Sequence, residues 1–234
     1  MRRGTAPKWR SALIEPPATV ASLRVVPRRS TLVRVTFEDE THVDLPADAV
    51  FSEGLEIGLV LDDVQLGHLI ALADTSAATS AALSLLAYRA RSEKELRNEL
   101  RKRGHHPEAI DRCVVLLYDW RYLDDPDFAR RWVESRSASK PRSQRMLETE
   151  LRNKGVDREI VREVIAEAGI DDRIQAEQVA RSRWPKLVGE EPIAAKRKLS
   201  AYLARRGFGS AAIRHALQQV SSGSGDDEFG DFPQ

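Results

Sequence analysis

The sequence predicts a mainly α-helical protein: three tandem three-helix repeats forming an elongated curved array, preceded by a small β-rich N-terminal module. Three observations lead there. Alternation of apolar residues with period two is confined to residues 19–45. From Ala77 onward, apolar residues recur at helical spacing. That helical part repeats one pattern three times, at intervals of about fifty residues.

The β-rich part comes first. Val33, Val35 and Phe37 alternate with Arg34 and Thr36, Glu38-Asp39-Glu40 interrupts, and Val43 and Leu45 alternate again. This reads as a hairpin, with Thr19 to Val26 as a third strand. Asp62 and Asp63 are placed to cap a helix bearing Val64, Leu66, Leu69, Ile70 and Leu72. A module over residues 18–74 that ends in a helix follows. Residues 1–17, with Gly4, Pro7, Pro16 and Pro17, lack periodicity and read as an arm. Residues 221–234 read as a flexible acidic tail carrying Asp226, Asp227, Glu228 and Asp231.

The repeat is carried by two leucines four apart and a glycine four residues later. Leu96, Leu100 and Gly104 are followed by Ile110 and Val114; Leu147, Leu151 and Gly155 by Ile160 and Val164; Leu199, Leu203 and Gly207 by Ile213 and Leu217. Residues four apart share a helix face, and a glycine just past a helix end accepts the left-handed backbone that closes it. Lys102-Arg103, Lys154 and Arg205-Arg206 precede these glycines, where cations complement the negative end of the helix dipole. Additional helices are expected over Ala77–Tyr88, Asp125–Ala138 and Asp171–Arg183. The repeats then occupy residues 75–123, 124–169 and 170–220. Ser92 with Glu95 forms a capping box, Asp157, Asp171 and Ser210 are further N-caps, and Pro107 and Pro126 suit first turns.

Composition narrows the function. Lysine plus arginine number 37 and aspartate plus glutamate 36, so attraction to nucleic acid must come from local patches. The single cysteine, Cys113, sits at helical spacing with Ile110, Val114 and Leu117 and reads as a buried apolar residue. It excludes an internal disulfide framework and fits a reducing cytoplasm. Met1-Arg2-Arg3 is not followed by an apolar run, so no targeting segment is expected, and no uninterrupted apolar stretch is long enough to span a bilayer. His42, His68, His105, His106 and His215 do not fall at metal-ligand spacing, and His105-His106 reads as an exposed turn. There is no Walker-type glycine-rich loop. Asp124-Asp125, ahead of Pro126, reads as a cap instead of a catalytic carboxylate pair. No enzymatic activity, metal or cofactor is therefore expected.

Basic residues recur on the second helix of each repeat: Lys94, Arg97 and Arg101; Arg142, Arg145 and Arg152; Lys196, Arg197, Lys198, Arg205 and Arg206. Glutamates interleave the first two groups, which fits either a contact surface or a solvated face with intrahelical ion pairs. The third group has no acid between Lys196 and Arg206 and is the stronger contact surface. A helix-turn-helix reader of DNA is the rival reading. Against it, the residues after the three glycines (His106, Pro107 and Glu108; Asp157, Arg158 and Glu159; Gly209, Ser210 and Ala211) are poorly equipped to read base edges.

These motifs resemble the RecX family. Arg91-Ser92-Glu93-Lys94-Glu95-Leu96, Leu100 and Lys102-Arg103-Gly104 are similar to its first repeat. Tyr122-Leu123-Asp124-Asp125 with Phe128-Ala129 and Arg136 resembles its most distinctive signature. Glu150-Leu151 with Lys154-Gly155-Val156 is similar to its second repeat, and Lys198-Leu199, Tyr202-Leu203 and Arg205-Arg206-Gly207-Phe208 to its third. The resemblance covers residues 77–220. The module at 18–74 resembles an extension found in some members only. The resemblance implies a regulator that binds RecA filaments on single-stranded DNA. Such a protein lies along the filament groove, suppresses ATP hydrolysis and strand exchange, and so modulates recombination and the SOS response. Composition points to a cytoplasmic protein with no membrane partner and the stacked repeats to an elongated monomer, with direct weak DNA contact as an open further expectation.

Overall fold

The computed structural model describes residues 14–139, 141–187 and 189–222. Most of the expected arm and nearly all of the acidic tail lie outside the described residues. The chain divides into two compact units, residues 1–124 and 125–234.

In the first unit, β1 (Ala18–Val26), β2 (Arg29–Phe37), β3 (His42–Pro46) and β4 (Val60–Leu61) form an antiparallel sheet in the order β3-β2-β1-β4. The three strands read from the period-two pattern are all present. The short helix α1 (Ala47–Ser52) and β4 have no such signature. Alternation places Val20, Val35, Phe37, Val43 and Leu45 on the inner face, buried with Leu55, Leu61, Leu66, Leu69 and Ala73. On β2 and β3, Arg34 faces Asp44, and its guanidinium donates two hydrogen bonds of 2.7 and 2.9 Å to the carboxylate. That pairing raises the arginine's pKa.

Helix α2 (Asp63–Tyr88) corrects the sequence reading, which expected separate helices before residue 74 and after residue 77. Asp62 caps its start: its side chain accepts from Gln65 N while Gln65 returns a bond to Asp62 N. Asp74-Thr75-Ser76 resembles a stop-and-start signal, yet the helix runs through it. Thr75 and Thr79 turn their hydroxyls back onto the carbonyls of Ala71 and Thr75, each at 2.8 Å. The buried face changes at this point. Leu66, Leu69 and Ala73 enter the sheet core, whereas Ala78, Ala82 and Leu85 enter the core of the first repeat. At 100° per residue these two sets lie on nearly opposite sides of the helix. The helix is long and apolar enough to cross a membrane by length and composition; here it lies between two cores and carries buried Asp74.

The first repeat is completed by α3 (Glu93–Lys102) and α4 (Pro107–Asp119). The second unit holds α5 (Asp125–Ser139), α6 (Gln144–Asn153) and α7 (Arg158–Glu167), then α8 (Asp172–Arg183), a 3-10 turn (Trp184–Lys186), α9 (Pro192–Arg205) and α10 (Ser210–Ser222). Both groups are three-helix repeats. The paired leucines of all three repeats are buried: Leu96 and Leu100, Leu147 and Leu151, Leu199 and Leu203. Cys113 is fully buried, and that burial pushes its thiol pKa up. Ser92, Asp157 and Asp171 cap their helices as expected. Ser210 does not: α10 starts at it, and the preceding Gly209 carbonyl accepts from Ile213 N.

Each second helix ends in the same way. Gly104, Gly155 and Gly207 have φ of +85°, +85° and +88°. The glycine N–H bonds the carbonyl three residues back, and the next N–H bonds the carbonyl of Leu100, Leu151 or Leu203. This is the Schellman closure, in which the residue after the glycine packs back on the helix. In two repeats that residue is apolar and buried, Val156 and Phe208. In the first repeat it is His105, also buried, which corrects the expectation of an exposed His105-His106 turn; only His106 is exposed. Buried Asp74 of α2 explains the exception. Its carboxylate pairs with His105 Nδ1 at 2.7 Å and accepts the backbone N–H of His106 at 2.8 Å.

Candidate functional site

The candidate surface is built from the cations of the second helices. In the first repeat, Lys94 is exposed, Arg101 bonds Asn98, and Arg97 is engaged with both Glu93 and Asp111. Burial works against the charge of Arg97, but the two carboxylates outweigh it and its pKa is raised. This arginine ties α3 to α4 and is poorly placed to act outward.

The second repeat spends its signature residues on one packed network. Glu150 accepts from Trp132 Nε1 at 3.0 Å and pairs with Arg136 at 3.1 Å and Arg142 at 2.8 Å. Arg136 and Lys154 each stand 4.1 Å from the Trp132 ring. Arg142, read as a contact residue, is therefore held inward. Arg145 and Arg152 are exposed and have no carboxylate partner among the described residues.

In the third repeat, Lys198 does find an acid: Glu190, eight residues earlier, at 2.7 Å. The expectation that this cluster lacks a local acidic partner is corrected at that position. Arg206 is also occupied. Its guanidinium donates to the Pro141 carbonyl at 3.0 Å and to the Tyr202 hydroxyl at 2.7 Å, and it stacks on the Tyr202 ring. Its carbonyl accepts from Ser143 N. Arg206 thus joins the third repeat to the start of α6. Beside it, a Cβ on Gly207 would lie 2.5 Å from Ser143 Oγ and 2.9 Å from Met146 Cβ. Gln144 adds a bond from its N–H to Asp172 at 2.9 Å and one from its amide to the Ile170 carbonyl. Lys196, Arg197 and Arg205 remain exposed, without a carboxylate partner among the described residues. Ala195, Leu199 and Leu203 define the buried side of α9, and Arg197 projects from the opposite side.

Of the motif residues, Leu123 is buried in the first repeat, Phe128 is buried beside Trp132, and Tyr122 is exposed. Asp125 opens α5 and is buried, and Asp124 stands just ahead of the helix. No group of three His, Cys, Asp or Glu side chains suited to a metal occurs among the described residues.

Three linked three-helix domains, each closed by the same turn and each carrying cations on its middle helix, define a tandem helical-repeat protein. Models of the first, second and third three-helix domains of RecX match residues 78–115, 124–165 and 171–217. The regulatory protein RecX of Mycobacterium leprae is 39% identical over 135 residues, covering 56% of this chain and 78% of that protein. The Mycobacterium tuberculosis protein of the same name is 39% identical over 134 residues, covering 54% and 76%. A crystal structure of regulatory protein RecX shares the fold with a TM-score of 0.67 at 16% identity, covering 86% of this chain and 99% of that one. RecX from Lactobacillus salivarius does so with 0.55 at 21% identity, covering 64% and 97%. The chain belongs to the RecX family of regulatory proteins.

Proposed function

We propose that this protein binds RecA filaments on single-stranded DNA and restrains them, lowering ATP hydrolysis and strand exchange and so modulating recombination and the SOS response. It does so as a monomeric cytoplasmic regulator without catalysis or cofactor. One observation carries the reading beyond family membership. Arg145 and Arg152 on α6, and Lys196, Arg197 and Arg205 on α9, are exposed cations without a carboxylate partner among the described residues, on the middle helices of two consecutive repeats. Arg206 and Gly207 hold the end of α9 against the start of α6. Arg205 and Arg145 lie one and two positions from that junction in sequence, and exposed cations on both helices suit contact with phosphates or with an acidic protein groove.

The test replaces Lys196, Arg197 and Arg205 together with alanine, leaving Arg206 and Lys198 in place. The triple variant should keep its helical circular dichroism and inhibit RecA ATP hydrolysis less. If the three cations contact phosphates of a single strand, the slope of log affinity against log salt falls by about two. A folded variant that inhibits like the parent at every salt concentration would remove this surface from the interface. Binding to duplex DNA with indifference to filaments would favour the helix-turn-helix reading.

A further inference from the structure

The N-terminal module separates its charges. Residues 18–37, which form the β1–β2 hairpin, hold four arginines and no acid, whereas residues 38–88 hold ten carboxylates and neither lysine nor arginine. The two signs stand at opposite ends of β2. Arg28 and Arg29 lie at the turn from β1, and exposed Glu38, Asp39 and Glu40 lie at the turn into β3. The arginine turn extends past the last rung that β2 shares with β3, Leu32 opposite Pro46.

The hairpin gathers cations without neutralising them. Arg24 faces Arg34 directly across the ladder, a like-charge pairing that disfavours the sheet. Both oxygens of Asp44 are engaged by Arg34. Arg24, Arg28 and Arg29 are exposed and have no carboxylate partner among the described residues. Arg28 also bears backbone strain, because the turn gives it a φ of +64°, a conformation that favours glycine or asparagine. Such strain in a residue with a Cβ gathers at contact sites. Arg29 pairs with Val26, two residues along β1 from Arg24. Arg24 and Arg29 are therefore set roughly 7 Å apart along the strand direction.

We propose that this hairpin turn is a nucleic-acid contact, in which Arg24, Arg28 and Arg29 grip the phosphodiester backbone independently of the cations on α6 and α9. A DNA strand carries one charge per about 3.4 Å of rise, so neighbouring phosphates fall within the span of the three arginines. Each guanidinium can offer a phosphate two N–H donors at once. An acidic protein fits less well. Protein contacts are anchored by large apolar side chains, and Val25 is the one exposed large apolar residue within residues 18–37. The same polyanion repels Glu38, Asp39 and Glu40, which turns the arginine end of β2 toward the backbone. A contact made to phosphates alone is indifferent to base sequence.

The test measures the fluorescence anisotropy of an end-labelled oligothymidylate with the full chain over a range of salt. RecA is absent, so the outcome does not depend on filament inhibition. The variant carries Arg24→Gln, Arg28→Asn and Arg29→Gln. Asparagine suits the positive φ, and circular dichroism with the unfolding midpoint checks the fold. The slope of log affinity against log salt should fall by about two, from three phosphates at about 0.7 each, and low-salt affinity should drop about tenfold. Should the triple variant fail to fold, Arg29→Gln alone should lower the slope by about 0.7. The same loss should appear when the triple variant is built on Lys196→Ala, Arg197→Ala and Arg205→Ala, and with a duplex of mixed sequence. A folded variant with the parent's affinity and slope overturns the proposal, as does a parent that leaves the oligonucleotide unbound. A loss that vanishes in the α9 background overturns the independence of the hairpin. Equal displacement of the oligonucleotide by polyglutamate of matched charge overturns the assignment to phosphate.

Discussion

Asp74 on α2 and His105 in the turn after α3 are thirty-one positions apart in sequence and meet at 2.7 Å, both buried. His105 occupies the place that Val156 and Phe208 fill in the other repeats. Removing one member leaves the other buried without it, so Asp74→Ala or His105→Val should each cost about 3 kcal/mol in denaturant unfolding. The double variant recreates the apolar arrangement of the other repeats and should cost clearly less than the two single losses together. Additive losses would show that the pair is not coupled.

Gly207 is constrained twice, by a φ of +88° and by its approach to Ser143 and Met146. Gly169 has a φ of +56° and open space around it. Gly169→Ala should therefore lose about 1 kcal/mol from backbone strain alone. Gly207→Ala should lose distinctly more, because the junction between repeats must also shift. Equal losses in thermal or chemical unfolding would contradict the packing account.

Arg121 closes α4 with a φ of +58°, its N–H on the Tyr118 carbonyl and the next N–H on Leu117. The geometry is the same helix closure built on a residue with a Cβ. Arg121→Gly relieves that strain and should stabilise the fold by up to about 1 kcal/mol, read as a higher unfolding midpoint.

Burial raises the Cys113 thiol above its ordinary range. The thiol form is thus favoured in the folded protein. The associated stability is complete below the unfolded pKa and is lost as pH climbs through the raised folded value. At neutral pH, alkylation by iodoacetamide should track global unfolding, and adding denaturant should be the main way to speed it. Rapid modification of the native protein would show that the site opens locally.

Much of this was legible because the signals are local. Period-two alternation located β1 to β3, and the leucine–leucine–glycine spacing located three helix ends that share one backbone geometry. What escaped the sequence reading depends on partners far along the chain. The division expected between residues 74 and 77 is absent from α2, and the Asp74 carboxylate within it is used by residues 105 and 106. Arg142 and Arg206 resemble free cations until Glu150, Pro141 and Tyr202 are brought beside them by the fold. Lys198 finds Glu190 across the start of α9, outside the spacing of intrahelical ion pairs. Lys196, Arg197 and Arg205 are exposed.

Because α2 contributes its first half to the sheet core and its second half to the first repeat, the module cannot be trimmed away like a bead from a string. A cut at residue 75 would strip the first repeat of the carboxylate that satisfies His105. A cut at residue 62 would leave three leucine-bearing turns of helix naked in water. The front of the molecule should therefore melt as one block, and the natural place to divide this chain for expression is after Asp124.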